Sequence, residues 1–221
     1  DTTLAATAEH LQEALSVYEV GMSLLDAELL TERPNGRTEI DLDAVRRRGA
    51  AGREWLRERL VQRGFSPEVS TAALSARTGA MFAAADLCAV VHGARLLLET
   101  DTLPPLPVLQ LREYAREATF APARAADCVT IDAAAVVGQP FVRRVQTGDR
   151  FAPFGMHRGT KLVSDYLTDR HRSVLEKRAA AVVCDEVGIL WLVGETVDRR
   201  AAVTASTQRV LEIRLLAERT D

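Results

Sequence analysis

The sequence predicts an α+β protein in which a helical domain with a small β meander is followed by a mixed α+β domain. Helical periodicity fills the first third of the chain, short apolar runs follow it, and a proline-rich stretch lies between the two halves. Helices and strands occur in blocks and not as repeated βαβ units, which favours α+β over a doubly wound sheet. Because proline blocks helix and ladder hydrogen bonds, Thr100–Pro107 predicts a boundary between domains at 1–103 and 104–221.

Before Gly79, apolar residues recur at three- and four-residue steps, which predicts amphipathic helices. The first, in one or two pieces, ends near Leu30. The second runs from about Asp43 to Gly64, with Asp41 or Asp43 as its N-cap. The third begins after Pro67. After Gly79, three short runs predict the meander strands, Met81–Ala83, Cys88–Val91 and Arg95–Leu98.

The second half mixes short strands with two helices. The predicted strands are Val129–Ile131, Phe141–Val145, Ala181–Cys184, Ile189–Val193 and Val210–Leu215. Asp185–Gly188 predicts the turn of a hairpin. Thr160 is expected to cap the first helix, and the second covers about Ser173–Arg178. Asp198 is expected to form an ion pair with the arginines that follow it.

Composition indicates a cytoplasmic protein with no membrane partner. Of the 221 residues, 47% are hydrophobic and 27% are charged, which is ordinary for a soluble domain. No apolar run approaches the length of a membrane span, and the N-terminus has no secretory signal pattern. Three cysteines without paired spacing predict reduced, buried thiols: Cys88, Cys128 and Cys184.

The sequence contains no established catalytic motif. The phosphate-binding, dinucleotide-binding, nucleophile-elbow and zinc-protease patterns are all absent from it, and its histidines and cysteines lack metal-ligand spacing. A hydrolase could be imagined around His157, Ser164 and Asp165, but a chain of this size offers such a trio by chance. No catalytic residue, metal or cofactor is therefore expected in this chain.

A basic segment stands out in an otherwise acidic chain. Residues 141–178 hold nine basic and four acidic side chains, whereas the whole chain has a net charge of −3. A glycine-rich loop in this segment would gather cations and free backbone N–H groups suited to phosphate or sugar, namely an outward Arg143 with Arg150, Arg158 and Lys161. In the alternative, left open here, Asp149 pairs with Arg150 and the loop's aromatic residues pack a tight turn.

These residues also carry a family resemblance. The run Gly148-Asp149-Arg150-Phe151-Ala152-Pro153-Phe154-Gly155-Met156, followed by Lys161-Leu162 and Ser164–Leu167, resembles the C-terminal domain of bacterial tRNA(Ile)-lysidine synthetases, also called synthases. Ile189–Gly194 and the closing Val203-Thr204 fit the same pattern. The helix at 43–64 resembles the family's helical middle domain.

The resemblance implies an ATP-dependent ligase that joins L-lysine to the wobble cytidine of isoleucine tRNA, so that AUA is read. Its cofactors would be ATP with magnesium. The family's catalytic domain is N-terminal and carries an S-G-G-x-D-S loop, which is absent from this sequence. This chain would then be the part that holds the tRNA, inactive alone, with its last domain on the acceptor stem. Its partners would be isoleucine tRNA and the missing catalytic domain.

The expected tRNA-binding residues are cations, because an A-form stem is recognised through its shape, phosphates and 2′-hydroxyls. They are Arg143, Arg144, Arg150, Arg158, Lys161, Arg170, Arg172, Lys177 and Arg178. A secondary patch, for which solubilisation is an equally good explanation, comprises Arg46, Arg53 and Arg57. The alternative function is a protein-interaction or dimerisation module unrelated to RNA, and a homodimer stays open.

Overall fold

The structure, a computed structural model, describes residues 2–34, 36–117 and 119–216. It divides into two compact units, Asp1–Thr102 and Leu103–Asp221. Both contain helices and antiparallel sheet, so the α+β prediction is confirmed. The division falls within the proline-rich stretch, while the functional assignment of the two predicted domains stays a prediction.

Over its described residues, 2–34 and 36–102, the first unit has four helices and one antiparallel sheet. The helices are α1 (Thr2–Leu29), α2 (Leu42–Arg47), α3 (Gly49–Gln62) and α4 (Glu68–Ser75). The strands are β1 (Leu30–Glu32), β2 (Thr38–Asp41), β3 (Met81–Ala84), β4 (Leu87–His92) and β5 (Arg95–Thr100). They pair in the order β1-β2-β5-β4-β3, so the meander β3–β5 is extended by the first hairpin.

The prediction of one continuous helix from Asp43 to Gly64 is wrong. It is broken into α2 and α3 at Gly49, whose φ of +60° belongs to the left-handed region that glycine adopts without strain. Asp41 is the N-cap of α2, since its carboxylate accepts the N–H of Ala44 at 2.9 Å. Trp55 and Leu56 of α3 are fully buried in the core of this unit.

Helix α1 is continuous, and its apolar residues divide into two groups. Met22 and Leu29 are buried in the core, as helical periodicity predicts. Leu11, Leu15 and Val17 are 63%, 56% and 75% exposed. The amphipathic pattern therefore finds a packing partner within the described residues only over the last turns of the helix.

Residues 103–117 and 119–216 of the second unit form three small sheets and two short α-helices. The helices are α5 (Val163–Asp169) and α6 (Val174–Ala179). The strands are β6 (Val108–Ala115), β7 (Cys128–Asp132), β8 (Phe141–Arg144), β9 (Arg150–Phe151), β10 (Lys161–Leu162), β11 (Ala181–Cys184), β12 (Ile189–Leu192), β13 (Thr196–Val197) and β14 (Arg209–Leu216). The antiparallel sheets have the orders β6-β14-β7, β13-β12-β11-β8 and β10-β9.

The hairpin β11–β12 lies at the centre of this unit and is buried on both sides. Val183 and Leu190 belong to a cluster with Ile213 of the three-stranded sheet. Val182 and Leu192 belong to the cluster formed with α5 and β9. Burial on both faces explains why each strand of this hairpin is a continuous apolar run in the sequence.

The two helices of this unit begin differently from one another. Ser173 caps α6 through a capping box, in which its Oγ accepts the N–H of Glu176 at 3.2 Å and the Glu176 carboxylate accepts the N–H of Ser173 at 2.7 Å. The cap predicted at Thr160 is wrong. Helix α5 begins after Leu162, and Thr160 instead accepts a hydrogen bond from Arg150.

Candidate nucleic-acid interface

Strands β9 and β10 and helices α5 and α6 are joined by side-chain contacts into one surface, here called the cationic face. The Arg150 guanidinium donates to Thr160 Oγ1 at 3.1 Å. Lys161 pairs with Asp169 at the end of α5. Lys177 Nζ of α6 donates to Thr168 Oγ1 at 2.8 Å. Side chains from across the basic segment therefore meet on neighbouring elements.

Four cations of this face have no carboxylate partner among the described residues. Arg150 and Lys177 contact only neutral oxygens of threonine side chains and main chain. Arg158 is exposed in the loop 152–160 and makes no hydrogen bond or ion pair within the described part of the chain. The Arg170 guanidinium lies 5.2 Å from the centre of the Tyr166 ring. Arg178 on α6 is exposed too, but it has an interaction within the chain and is not one of these four.

Arg143 does not point outward as expected. It is half-buried and holds Asp149 with two hydrogen bonds, at 2.7 and 2.9 Å. The hydrogen bond from Arg143 lowers the pKa of Asp149 despite its partial burial. The alternative pairing of Asp149 with Arg150 is wrong, because both carboxylate oxygens face Arg143. This pair fixes the turn before β9 and leaves Arg150 without an acidic partner.

Arg144 and Arg172 are also engaged within the chain. Arg144 donates to the main-chain carbonyls of Ala179 and Pro104. Arg172 pairs with Glu195 at 2.6 Å and more distantly with Glu176 at 3.5 Å. These contacts make Arg143, Arg144, Lys161 and Arg172 parts of the scaffold. Whether any of the nine predicted residues binds tRNA stays a prediction.

The secondary patch on the first unit is mostly neutralised. Arg46 pairs with Asp43 at 2.6 Å and donates to the Leu74 carbonyl. Arg57 pairs with Glu54, three residues earlier on α3. Arg53 is exposed, with no ion pair among the described residues. Local pairing of this kind is typical of a solvated helix surface.

No hydrogen bond joins His157, Ser164 and Asp165 within the described residues, and all three are exposed. No group of three or more potential metal ligands occurs in the same part of the chain. Cys88, Cys128 and Cys184 are buried, as predicted, and form no disulfide within the described residues. None of the described helices has the length and apolar character needed to span a membrane.

Sequence reasoning missed a contact at the edge of the cationic face. The Arg124 guanidinium lies 4.8 Å from the centre of the Phe154 ring, which is 45% exposed and does not pack into a turn. Arg124 lies outside the basic segment, so no local signal connects it with the glycine-rich loop. Only the fold brings the two together.

Comparison with known proteins agrees with the resemblance carried by the motifs. No family model matches the chain. A tRNA(Ile)-lysidine synthase from Bacteroides thetaiotaomicron is 31% identical to it over 218 residues, which is 95% of this chain. The chain is related to the tRNA(Ile)-lysidine synthases. It spans 49% of that synthase, about half of its length.

Further similarities cover less of the chain. The tRNA(Ile)-lysidine synthase of Parabacteroides distasonis is 41% identical over 75 residues, which cover 34% of this chain and 17% of that protein. The crystal structure of a TILS C-terminal domain aligns with 54% of this chain and 92% of its own, with 24% identity and a TM-score of 0.41.

Proposed function

We propose that this chain is the tRNA-holding part of a tRNA(Ile)-lysidine synthase and that its second unit binds the acceptor stem of isoleucine tRNA. The observation that carries the proposal is the cationic face, where Arg150, Arg158, Arg170 and Lys177 lie on adjoining elements without carboxylate partners among the described residues. The choice of isoleucine tRNA as the substrate comes from the similar proteins, which are tRNA(Ile)-lysidine synthases.

The chemistry of this face suits the backbone of duplex RNA. Side chains cannot enter the deep major groove of an A-form helix, so recognition relies on shape, phosphates and 2′-hydroxyls. Gly155 and Gly159, with φ of +93° and +73°, turn the loop that carries Arg158. A Cβ at either glycine would meet nothing within 4 Å, so there is open space beside the loop at both positions. Arginine and lysine would supply the phosphate contacts.

The reaction itself is assigned to the remainder of the parent protein. In this proposal a catalytic domain carrying the S-G-G-x-D-S loop binds ATP with magnesium and L-lysine, and it modifies the wobble cytidine. This chain has no such loop, and its role in the proposal is only to position the tRNA. Incubated with tRNA, ATP, magnesium and lysine, it is expected to form no lysidine.

The test is the salt dependence of tRNA binding by the whole chain. Cations that neutralise phosphates release counterions, so affinity falls with salt. For the four cations without acidic partners, a plot of log affinity against log salt should have a slope of roughly −3. Fluorescence anisotropy with labelled isoleucine tRNA measures it. A slope near zero would contradict phosphate-led binding.

The second candidate, a protein-interaction or dimerisation module, is favoured by the exposed apolar residues of α1. Leu11, Leu15 and Val17 are all more than half exposed. Sedimentation velocity at several concentrations, with and without tRNA, separates the two candidates. A sedimentation coefficient that rises with protein concentration in the absence of tRNA supports the interaction or dimerisation module. A sedimentation coefficient that rises only when tRNA is added supports the tRNA-binding function.

A further inference from the structure

The second unit contains a cavity of about 150 Å³ beside the cationic face. Its walls are about equally polar and apolar, with Val129, Val197 and Val203 on the apolar part. Phe154 and Arg124 also line it, and their side chains contact each other. A cavity of this volume is large enough for one six-membered ring.

Polar groups of the cavity lining offer directional contacts. Thr130 Oγ1 accepts the N–H of Ala123 at 2.6 Å, so its own proton remains available to a further acceptor. Trp191 is 2% exposed, and its indole N–H has no hydrogen-bond partner among the described residues. Since it is not a fully enclosed atom that lacks a partner, this nitrogen retains some access to solvent or a ligand. Buried indole N–H groups usually have a partner, so this donor suits a ligand.

The cavity and the cationic face share the loop 152–160. Phe154 is held there by its N–H, which donates to the Val197 carbonyl at 3.0 Å. Arg158 is four residues further along the same loop. On the other side, Glu195 lines the cavity and accepts the ion pair from Arg172. The loop thus forms a wall of the cavity and also carries Arg158, and the exposed Arg124 lies against Phe154 at the cavity itself.

We propose that this cavity binds one unpaired nucleobase of the RNA that the cationic face holds. The inference rests on the proposed function and extends it to a second kind of contact. Unpaired bases are recognised by stacking on aromatic rings and guanidinium planes and by hydrogen bonds to their edges, and Phe154, Arg124 and the Trp191 N–H supply these. Bases inside a duplex cannot enter, so the occupant is an unpaired residue next to the stem.

The experiment compares a blunt RNA hairpin with the same hairpin bearing a short unpaired extension at its 3′ or its 5′ end. The whole chain should bind one extended form roughly tenfold more tightly than the blunt form, which is the scale of one stacked base. Phe154→Ala should abolish that gain and leave the affinity for the blunt hairpin unchanged. Phe141→Ala is the matched control, because Phe141 is 47% exposed and does not line the cavity.

Tryptophan emission gives a second measurement that needs no substitution. Trp191 lines the cavity whereas Trp55 belongs to the core of the first unit, so a change in emission on adding RNA is assigned to Trp191. The extended hairpin should quench it and the blunt hairpin should not. Blunt binding with no gain from either extension, or a gain that survives Phe154→Ala, overturns the inference while the proposed function stands. Failure of the blunt hairpin to bind overturns the proposed function.

Discussion

Replacing Arg200 with leucine should lower the free energy of unfolding of the second unit by about 3 kcal/mol, because it leaves a buried carboxylate without its counter-ion. The Arg200 guanidinium contacts both oxygens of Asp185, at 2.6 and 3.1 Å. It also donates to the carbonyls of Ala135 and Gly188. Chemical denaturation of the whole chain, followed through Trp191 emission, measures the loss.

Asp185 gives this pair its importance. Its side chain is fully buried and also accepts the N–H groups of Val137, Val187 and Gly188. One carboxylate thus joins the turn of the central hairpin to the segment before β8. Arg199→Leu is the matched control, because within the described part of the chain the exposed Arg199 guanidinium contacts only the Met156 carbonyl, at 2.8 Å. Equal losses in the two variants would contradict a special role for Arg200.

The same ion pair sets the acid limb of the stability profile. Burial raises the pKa of Asp185, but hydrogen bonds from Arg200 and the main chain outweigh it and lower the pKa from 3.8 to about 2. A lowered native pKa means that the stabilisation is fully present above the unfolded value and is lost as pH falls towards about 2. The contribution is about 2 kcal/mol. In the Arg200→Leu variant, the free energy of unfolding should therefore decrease less between pH 3.8 and about pH 2 than it does in the unsubstituted chain.

Local signals explain which elements the sequence predicted. The meander β3–β5 and the hairpin β11–β12 follow from apolar runs separated by turn residues, which need no distant partner. Strand β6 was not predicted, because it is an edge strand with mostly exposed side chains and is defined by its pairing with β14. The break at Gly49 depends on one backbone conformation that the surrounding helical pattern conceals.

The same division applies to the charged residues. The excess of cations located the cationic face, but only the fold shows that Arg143 is bound to Asp149 and Arg172 to Glu195. The expected pairing of Asp198 with its neighbouring arginines is wrong. The Asp198 carboxylate accepts the N–H groups of Ala152 and Arg200, which occupies it with the main chain, and the Arg200 guanidinium reaches Asp185 instead.

Reversing two charges of the cationic face, Arg150→Glu with Arg158→Glu, should weaken binding of isoleucine tRNA on the order of 100-fold at low salt. Each lost phosphate contact reduces the magnitude of the salt slope by about one, so the slope should become shallower by about two. Both side chains are exposed and neither pairs with a carboxylate among the described residues, so the fold should persist. Anisotropy titrations over a range of salt concentrations measure both quantities.

The control applies the same change of net charge to the first unit, through Arg53→Glu with Arg57→Glu. Arg57 is already paired with Glu54, so less free positive charge is removed there and a smaller loss is expected. Long-range attraction from net charge alone would weaken both double variants alike, because it depends on the total and not on the position. Equal losses would therefore show that RNA responds to the charge of the whole chain, and the assignment of RNA binding to the cationic face would have to be abandoned.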